Sequence, residues 1–266
     1  MNEQKLTDTI RMLALRAGDA IMEIYGRADL AVHQKADASP VTEADEAADA
    51  LISEGLRATF PDIALVTEEQ AASHGQSATE FLIVDPLDGT KEFIRRRGDF
   101  TVNIALVRDG IPVHGVVYAP ARRRLFRTLP GGGAVEEAAP FGPVPDPAAV
   151  RVLRVRAPQD GVLVVVASKS HRTPETDAYI ARYEVRDSRS AGSSLKFCLL
   201  ASGEADLYPR LGPTMEWDTA AGDAVLRAAG GTVLRLDDLS LLTYGKPGYR
   251  NPFFLAHVPG VIPQPL

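Results

Sequence analysis

Apolar residues near the start of the chain fall at helical intervals. Leu6, Ile10, Leu13, Ala14, Ala17 and Ile21 recur every three or four positions, so they share one stripe of an amphipathic helix. A stretch of small and polar residues, KADASP (35–40), breaks the pattern. Thr42 then stands three residues before Asp45, the arrangement of a capping box. Behind it Ala47, Ala48, Leu51, Ile52 and Leu56 predict the apolar face of a second helix, which Pro61 stops.

From residue 63 the period shortens. IALVTEE, EFLIVD, FTVNIALVRDGIPVHGVVYAP and RLFRTL read as strands, and Asp109-Gly110 between two apolar runs predicts a hairpin turn. Residues 130–150 are dense in Gly, Pro and Ala. They predict an irregular connection and a boundary between an N-terminal α+β half (1–150) and a C-terminal α/β half (151–266) of one compact unit. Beyond it VLVVVAS predicts a buried strand, and Pro174 to Tyr183 a helix. A second helix begins near Ser193-Ser194 and ends by Gly203, before a short strand in ADLYPR. Asp218 opens a further helix, DTAAGDAVLRAAGG, whose glycines stop it. TVLRL and FFLAHV close the chain as strands. Helices interleaved with strands and hairpins predict a layered α+β fold rather than a plain doubly wound sheet.

Charge and cysteine usage narrow the class. A net charge of −6 over 266 residues excludes a protein that coats nucleic acid, whose basic stripe would be obvious. The basic run Arg122-Arg123-Arg124 lies between apolar stretches and reads as the solvated tip of a hairpin. The single cysteine, Cys198 in LKFCLLA, rules out a disulfide framework and reads as an inert buried thiol. No run of 18 apolar residues occurs, and MNEQKLTDTIRM is too charged for a signal peptide, so the expectation is a soluble cytoplasmic protein.

The chemistry is concentrated in IVDPLDGTKEFI (83–94). Four apolar residues (81–84) run straight into Asp85, and after Pro86 and Leu87 comes a second acid, Asp88, then Gly89-Thr90. A core has no use for two carboxylates there. A hard divalent cation does, because Mg²⁺ takes oxygen ligands from a few carboxylates, water and substrate phosphate. Gly89 lets backbone amides approach a phosphate, and a helix beginning at TKEFI would aim its free amides the same way. TEADE (42–46), VTEEQ (66–70) and EWDTAAG (216–222) add acids at further element boundaries. Singly these read as a capping acid, solvated charges and an N-cap; together with Asp85 and Asp88 they read as a metal site. Rival phosphatase chemistries fit less well. The two aspartates are spaced by three with a proline between, unlike an aspartate-nucleophile phosphatase. Cys198 lacks an arginine cradle, and no G-x-S-x-G is present. What remains is a metal-activated water as nucleophile.

DPLDGTKEF, GDFTVNIAL, QKADASPVTEAD, GSSLKFCLLASGEADLYPR and WDTAAGDAV together resemble the inositol monophosphatase superfamily, from about Gly18 to Gly231. DGTKEF and GSSLKFC…LYPR are similar to its bacterial 3'(2'),5'-bisphosphate nucleotidase branch, the CysQ type. The resemblance implies an α-β-α-β-α layered sandwich holding two or three Mg²⁺. Glu68, Asp85, the Leu87 carbonyl, Asp88 and Asp218 match its metal ligands, and Asp45 with Thr90 matches its water-orienting pair. The base is either that pair or Glu68. Phosphate would lie on the metals and the amides of Gly89 and Thr90. Ser170, His171, Ser194, Lys196 and Arg210 match positions used around the nucleotide. The implied reaction removes the 3'-phosphate of 3'-phosphoadenosine 5'-phosphate, with its sulfated form as a further substrate, lithium as an inhibitor and a role in sulfur assimilation. Inositol monophosphatase or fructose-1,6-bisphosphatase activity on the same metals is the alternative. Glu216, two residues before Asp218, is an acid the motif does not demand.

Overall fold

The computed structural model describes residues 2–27, 32–34, 40–75, 78–168 and 172–266. Helix α1 (Glu3–Tyr25) opens on Asn2, whose side chain accepts from the Lys5 amide. All six residues of the expected stripe are at most 1% exposed. Two short antiparallel strands, β1 (Val32–Gln34) and β2 (Pro40–Thr42), lead into α2 (Glu43–Thr59), which begins with the expected capping box. Its buried stripe is Ala44, Ala48, Ile52 and Leu56; Ala47 faces solvent, because an i, i+4 row leaves it a quarter-turn away.

Seven strands form the larger sheet, in the order of the chain: β3 (Ala64–Thr67), β4 (Glu80–Asp88), β5 (Thr101–Arg108), β6 (Ile111–Ala119), β7 (Arg124–Thr128), β8 (Ala134–Ala138) and β9 (Val150–Leu153). A single-turn helix, α3 (Thr90–Ile94), separates β4 from β5. The β5–β6 hairpin turns on Asp109 (φ 49°) and Gly110 (φ 76°), the paired left-handed conformations a two-residue turn needs. The Gly- and Pro-rich segment 130–150 is more ordered than its composition suggests, since β8 lies within it and pairs with both β7 and β9. Arg122 and Arg124 are not simply solvated: Arg122 bonds Asp99 at 2.6 Å, and Arg124 bridges Glu136 and Glu204.

The smaller sheet has the order β11-β10-β12-β14-β13, from β10 (Leu163–Ser168), β11 (Val185–Ala191), β12 (Leu207–Arg210), β13 (Thr232–Arg235) and β14 (Phe254–His257). Strand β11 escapes the sequence pattern. It is an edge strand with exposed residues along most of VRDSRSA, so no apolar alternation marks it. Helices α5 (Leu195–Ala201) and α6 (Ala220–Ala228) pack between the sheets, α1 and α2 cover the outer face of the larger one, and α4 (Pro174–Ile180) lies on β12. Alternation along β4 shows the layering: Leu82 and Val84 join the α1/α2 core, while Phe81 and Ile83 join the core shared with α5 and α6. This is the α-β-α-β-α sandwich. No helix among the described residues is long and apolar enough to cross a membrane.

Candidate active site

Strand register brings the acids together. β3 runs parallel to β4 with Thr67 opposite Val84, and the Glu68 amide donates to the Val84 carbonyl at 3.1 Å. Glu68 and Asp85 therefore leave neighbouring strands side by side. β4 then pairs with β5 through Asp85–Asn103 and Asp88–Thr101, three residues matched against two. That is a β-bulge at Pro86-Leu87, placed where proline has no N–H to give the ladder. Three residues along a regular strand would turn the two acids to opposite faces. The extra residue restores parity and returns Asp88 to the face that carries Asp85.

Oxygens of Glu68, Asp85 and Asp218 lie within 4.8 Å of one another. Asp218 arrives from the turn before α6, where its Oδ2 accepts from the Met215 amide at 2.9 Å; Thr219, not Asp218, occupies the helix N-cap. Asp88 stands beside this trio without belonging to it, accepting from the Ser194 amide (2.7 Å) and from Asn103 Nδ2 (3.4 Å). Burial, and then the charges of Asp88 and Glu68, push the Asp218 carboxyl well above the usual carboxylate range. Burial lifts Asp88 to about 6, against the opposing pull of Lys196. Glu216 faces away, bonded to the amides of Gly245 (2.6 Å) and Lys246 (3.0 Å) and to the Lys246 ammonium.

Asp45 does two jobs. Its Oδ2 closes the capping box, accepting from the amide and hydroxyl of Thr42 at 2.8 and 2.6 Å. Its Oδ1 accepts from Oγ1 of Thr90, a residue that lines the cleft, at 3.2 Å. One oxygen meets the capping reading, and the other bonds the residue that the functional reading pairs with it. Thr90 is held there by Gly89, whose φ of +94° turns the chain and whose missing side chain lets it pass the Asp99 carbonyl; a Cβ would sit 3.0 Å from that oxygen. The following helix spans five residues, so whatever amides this turn offers an anion would be local ones at Gly89 and Thr90 rather than the end of a long dipole.

A cleft of about 340 Å³ opens over these groups, with Lys196, Tyr208 and Arg210 on its far side. Lys196 lies over the Tyr208 ring and donates to the Ser193 carbonyl; burial lowers it to about 8, partly offset by Asp88. Arg210 donates to the Pro213 carbonyl at 2.8 Å, while its Nε is buried without a partner among the described residues. The Ser194 hydroxyl is bonded to Thr101 (2.9 Å) and Asn103 (2.6 Å), and its amide to Asp88, so its polar atoms support Asp88. Ser170 and His171 lie outside the described residues. Sequence reasoning missed Asn103 and Tyr208. A lone amide inside the apolar run TVNIAL was the available signal for Asn103, since a polar group buried mid-strand needs a partner.

An inositol monophosphatase family model matches residues 2–257. The chain belongs to the inositol monophosphatase family. Among relatives, the 3'(2'),5'-bisphosphate nucleotidase CysQ of Shigella flexneri is 43% identical over 255 residues, spanning 94% of this chain and 98% of its own. The crystal structure of CysQ from Bacteroides thetaiotaomicron matches with a TM-score of 0.78 and 37% identity, covering 97% of this chain and 98% of that one. An inositol monophosphatase from Anabaena matches with a TM-score of 0.73 and 25% identity, over 98% and 92%. This family member is thus a phosphatase, and its donor set suits the hard cation such enzymes use. The converging side chains offer only oxygens, and burial together with the neighbouring carboxylates raises the Asp218 carboxyl, a strain that a bound cation would relieve.

Proposed function

We propose that the chain is a Mg²⁺-dependent 3'(2'),5'-bisphosphate nucleotidase that hydrolyses the 3'-phosphate of 3'-phosphoadenosine 5'-phosphate to AMP and phosphate, and acts likewise on the sulfated analogue. One observation carries the reading: a single cleft sets the carboxylates of Glu68, Asp88 and Asp218 against two buried cations, Lys196 and Arg210, as a substrate with two phosphates requires. The 43% identity to a curated nucleotidase supports that substrate over a sugar phosphate.

Glu68, Asp85, Asp88, Asp218 and the Leu87 carbonyl would hold two or three Mg²⁺. Bound there, Mg²⁺ supplies acidification of a water and neutralisation of phosphoryl charge. The chain's own part is proton handling and positioning. Thr90 Oγ1 donates its hydrogen to Asp45 Oδ1, which leaves its lone pairs to accept from a water in the cleft; as that water gives a proton to Oγ1, the Thr90 proton passes to Asp45, whose carboxylate becomes a neutral acid with its other oxygen pinned by Thr42. Amides at Gly89 and Thr90 face the phosphate. Arg210 and Lys196 grip the anionic nucleotide, Arg210 with the Nε that has no acceptor among the described residues. We assign the enzyme to the cytoplasm, where the buried free thiol of Cys198, its pKa raised by burial, stays reduced.

The test is phosphate release from 3'-phosphoadenosine 5'-phosphate, inositol 1-phosphate and fructose 1,6-bisphosphate side by side, with Mg²⁺ and with added Li⁺. A strong preference for the nucleotide, abolished by lithium, is the expected result. Preference for either sugar phosphate would keep the carboxylate chemistry and overturn the assignment of Lys196 and Arg210.

A further inference from the structure

Glu68 and Asp218 reach the cleft on turns from opposite sides, and a stack of rings joins those turns. The His74 imidazole lies 4.8 Å from the Trp217 indole at 27° between planes. Tyr249 closes on both, edge-on to His74 at 6.4 Å and tilted against Trp217 at 6.3 Å, and Phe81 of β4 backs it at 6.1 Å. His74 Nε2 also lies 2.8 Å from the Thr67 carbonyl oxygen. A carbonyl only accepts, so the ring carries its proton on Nε2. One imidazole therefore holds the residue before Glu68 by its edge and the residue before Asp218 by its face.

The Glu68 turn does not need His74 to be ordered. Asp49 on α2 accepts from the Thr67 hydroxyl and from Gln70 Nε2 (2.7 Å), and Ser73 Oγ accepts from the Thr67 amide at 3.1 Å. The Asp218 turn is likewise tied on its own side, through Asn251 Nδ2 to the Met215 carbonyl (2.8 Å) and Thr219 Oγ1 (3.0 Å). What His74 adds is the link between two turns that are each already braced.

We propose that His74 is a positioning residue for cation binding: by clasping the turns that carry them, it sets the separation of the Glu68 and Asp218 carboxylates. This rests on the metal-ligand assignment above. Trp217 is the chain's one tryptophan, so indole emission reports on the clasp itself. The experiment titrates Mg²⁺ alone, without substrate, into the wild type and His74→Ala, following Trp217 emission and, separately, heat of binding. His74→Ala is expected to raise the half-saturating Mg²⁺ about tenfold, the range typical when a group that orients a metal ligand is removed. Lost turnover should return as Mg²⁺ is raised, which a merely structural defect would not allow. His74→Phe, keeping the stack without the Thr67 bond, should fall between. An unchanged calorimetric midpoint in His74→Ala overturns the proposal; if that variant does not fold, an unchanged midpoint in His74→Gln, which keeps a donor without the stack, does the same. Absence of Mg²⁺ binding to the wild type would instead remove the metal assignment, and this proposal with it, whatever substrate the enzyme turns over.

Discussion

The two walls of the cleft are built on different principles. On the wall formed by β3, β4, α2 and α3, each functional atom is fixed by backbone geometry that has its own structural reason: parallel register for Glu68, a proline bulge for Asp85 and Asp88, a capping box for Asp45, a left-handed glycine for Thr90. On the wall formed by α5 and β12, long cationic side chains are buried with fewer partners. Lys196 is pushed down to about 8 by that burial, and the Arg210 Nε has no acceptor among the described residues. Leaving such a donor unpaired costs about 1–3 kcal/mol, which a bound phosphate can offset. Folding alone sets the geometry of the first wall, the finished one in that sense, whereas the second leaves a buried donor that an anionic ligand would satisfy.

Removing a carboxylate from the finished wall should break the enzyme hardest. Asp85→Asn is expected to lower kcat/KM at least about a thousandfold, the several kcal/mol of transition-state stabilisation that a catalytic cation supplies, with no recovery at high Mg²⁺. Near-normal phosphate release from a folded Asp85→Asn would show that the trio is not the metal site. Thr90→Val comes next, at about a hundred- to ten-thousandfold in kcat, if Thr90 and Asp45 move the proton. Asp45→Ala should match it and also lose about 1 kcal/mol of stability with its capping bond, a second deficit that thermal melts would register and Thr90→Val would escape. Equal melting of the two would deny Asp45 its double role.

The opposite wall should respond by substrate instead of by chemistry. Lys196→Ala and Arg210→Ala are each expected to lower kcat/KM for the nucleotide about ten- to a hundredfold, the worth of a charged hydrogen bond, while sparing inositol 1-phosphate. The ammonium form of Lys196 fades above about pH 8, so KM for the nucleotide should rise there in the wild type and stay flat in Lys196→Ala. Parallel losses on both substrates would mean that these cations serve the shared phosphate and not the nucleotide.

The same contrast explains what could be read from the sequence. The finished wall is legible because its devices are local: Thr42 to Asp45 is a capping box on the page, and Asp-Pro-Leu-Asp-Gly announces a strand that ends in acids. What could not be read there was parity, because only the pairing of Asp85 and Asp88 with Asn103 and Thr101 shows that the bulge returns both acids to one face. The partners of Ser194 were hidden for a related reason: sequence shows that it precedes α5, while the β5 hydroxyl and amide that capture it are some ninety residues away. Edge strand β11 and strand β8 were hidden by composition, the one too exposed and the other set among glycines and prolines.

The finest test asks what the finished wall costs without its cation. With burial holding Asp88 near 6 against an ordinary 3.8, the folded chain binds a proton there more tightly than the unfolded chain does. Between those values the folded state holds more protons, so stability falls as pH rises; the contribution is fully present below about 3.8 and gone above about 6. Asp88→Asn cannot ionise and escapes the loss. Without metal, its melting temperature should match the wild type at pH 4 and exceed it at pH 7.5, by about 2–4 °C for each kcal/mol relieved. Adding Mg²⁺ at pH 7.5 should stabilise the wild type more than the variant and narrow the gap. A wild type that melts above Asp88→Asn at neutral pH without metal would mean that Lys196 and the Ser194 amide already compensate the charge, and that the carboxylate wall is not waiting for a cation at all.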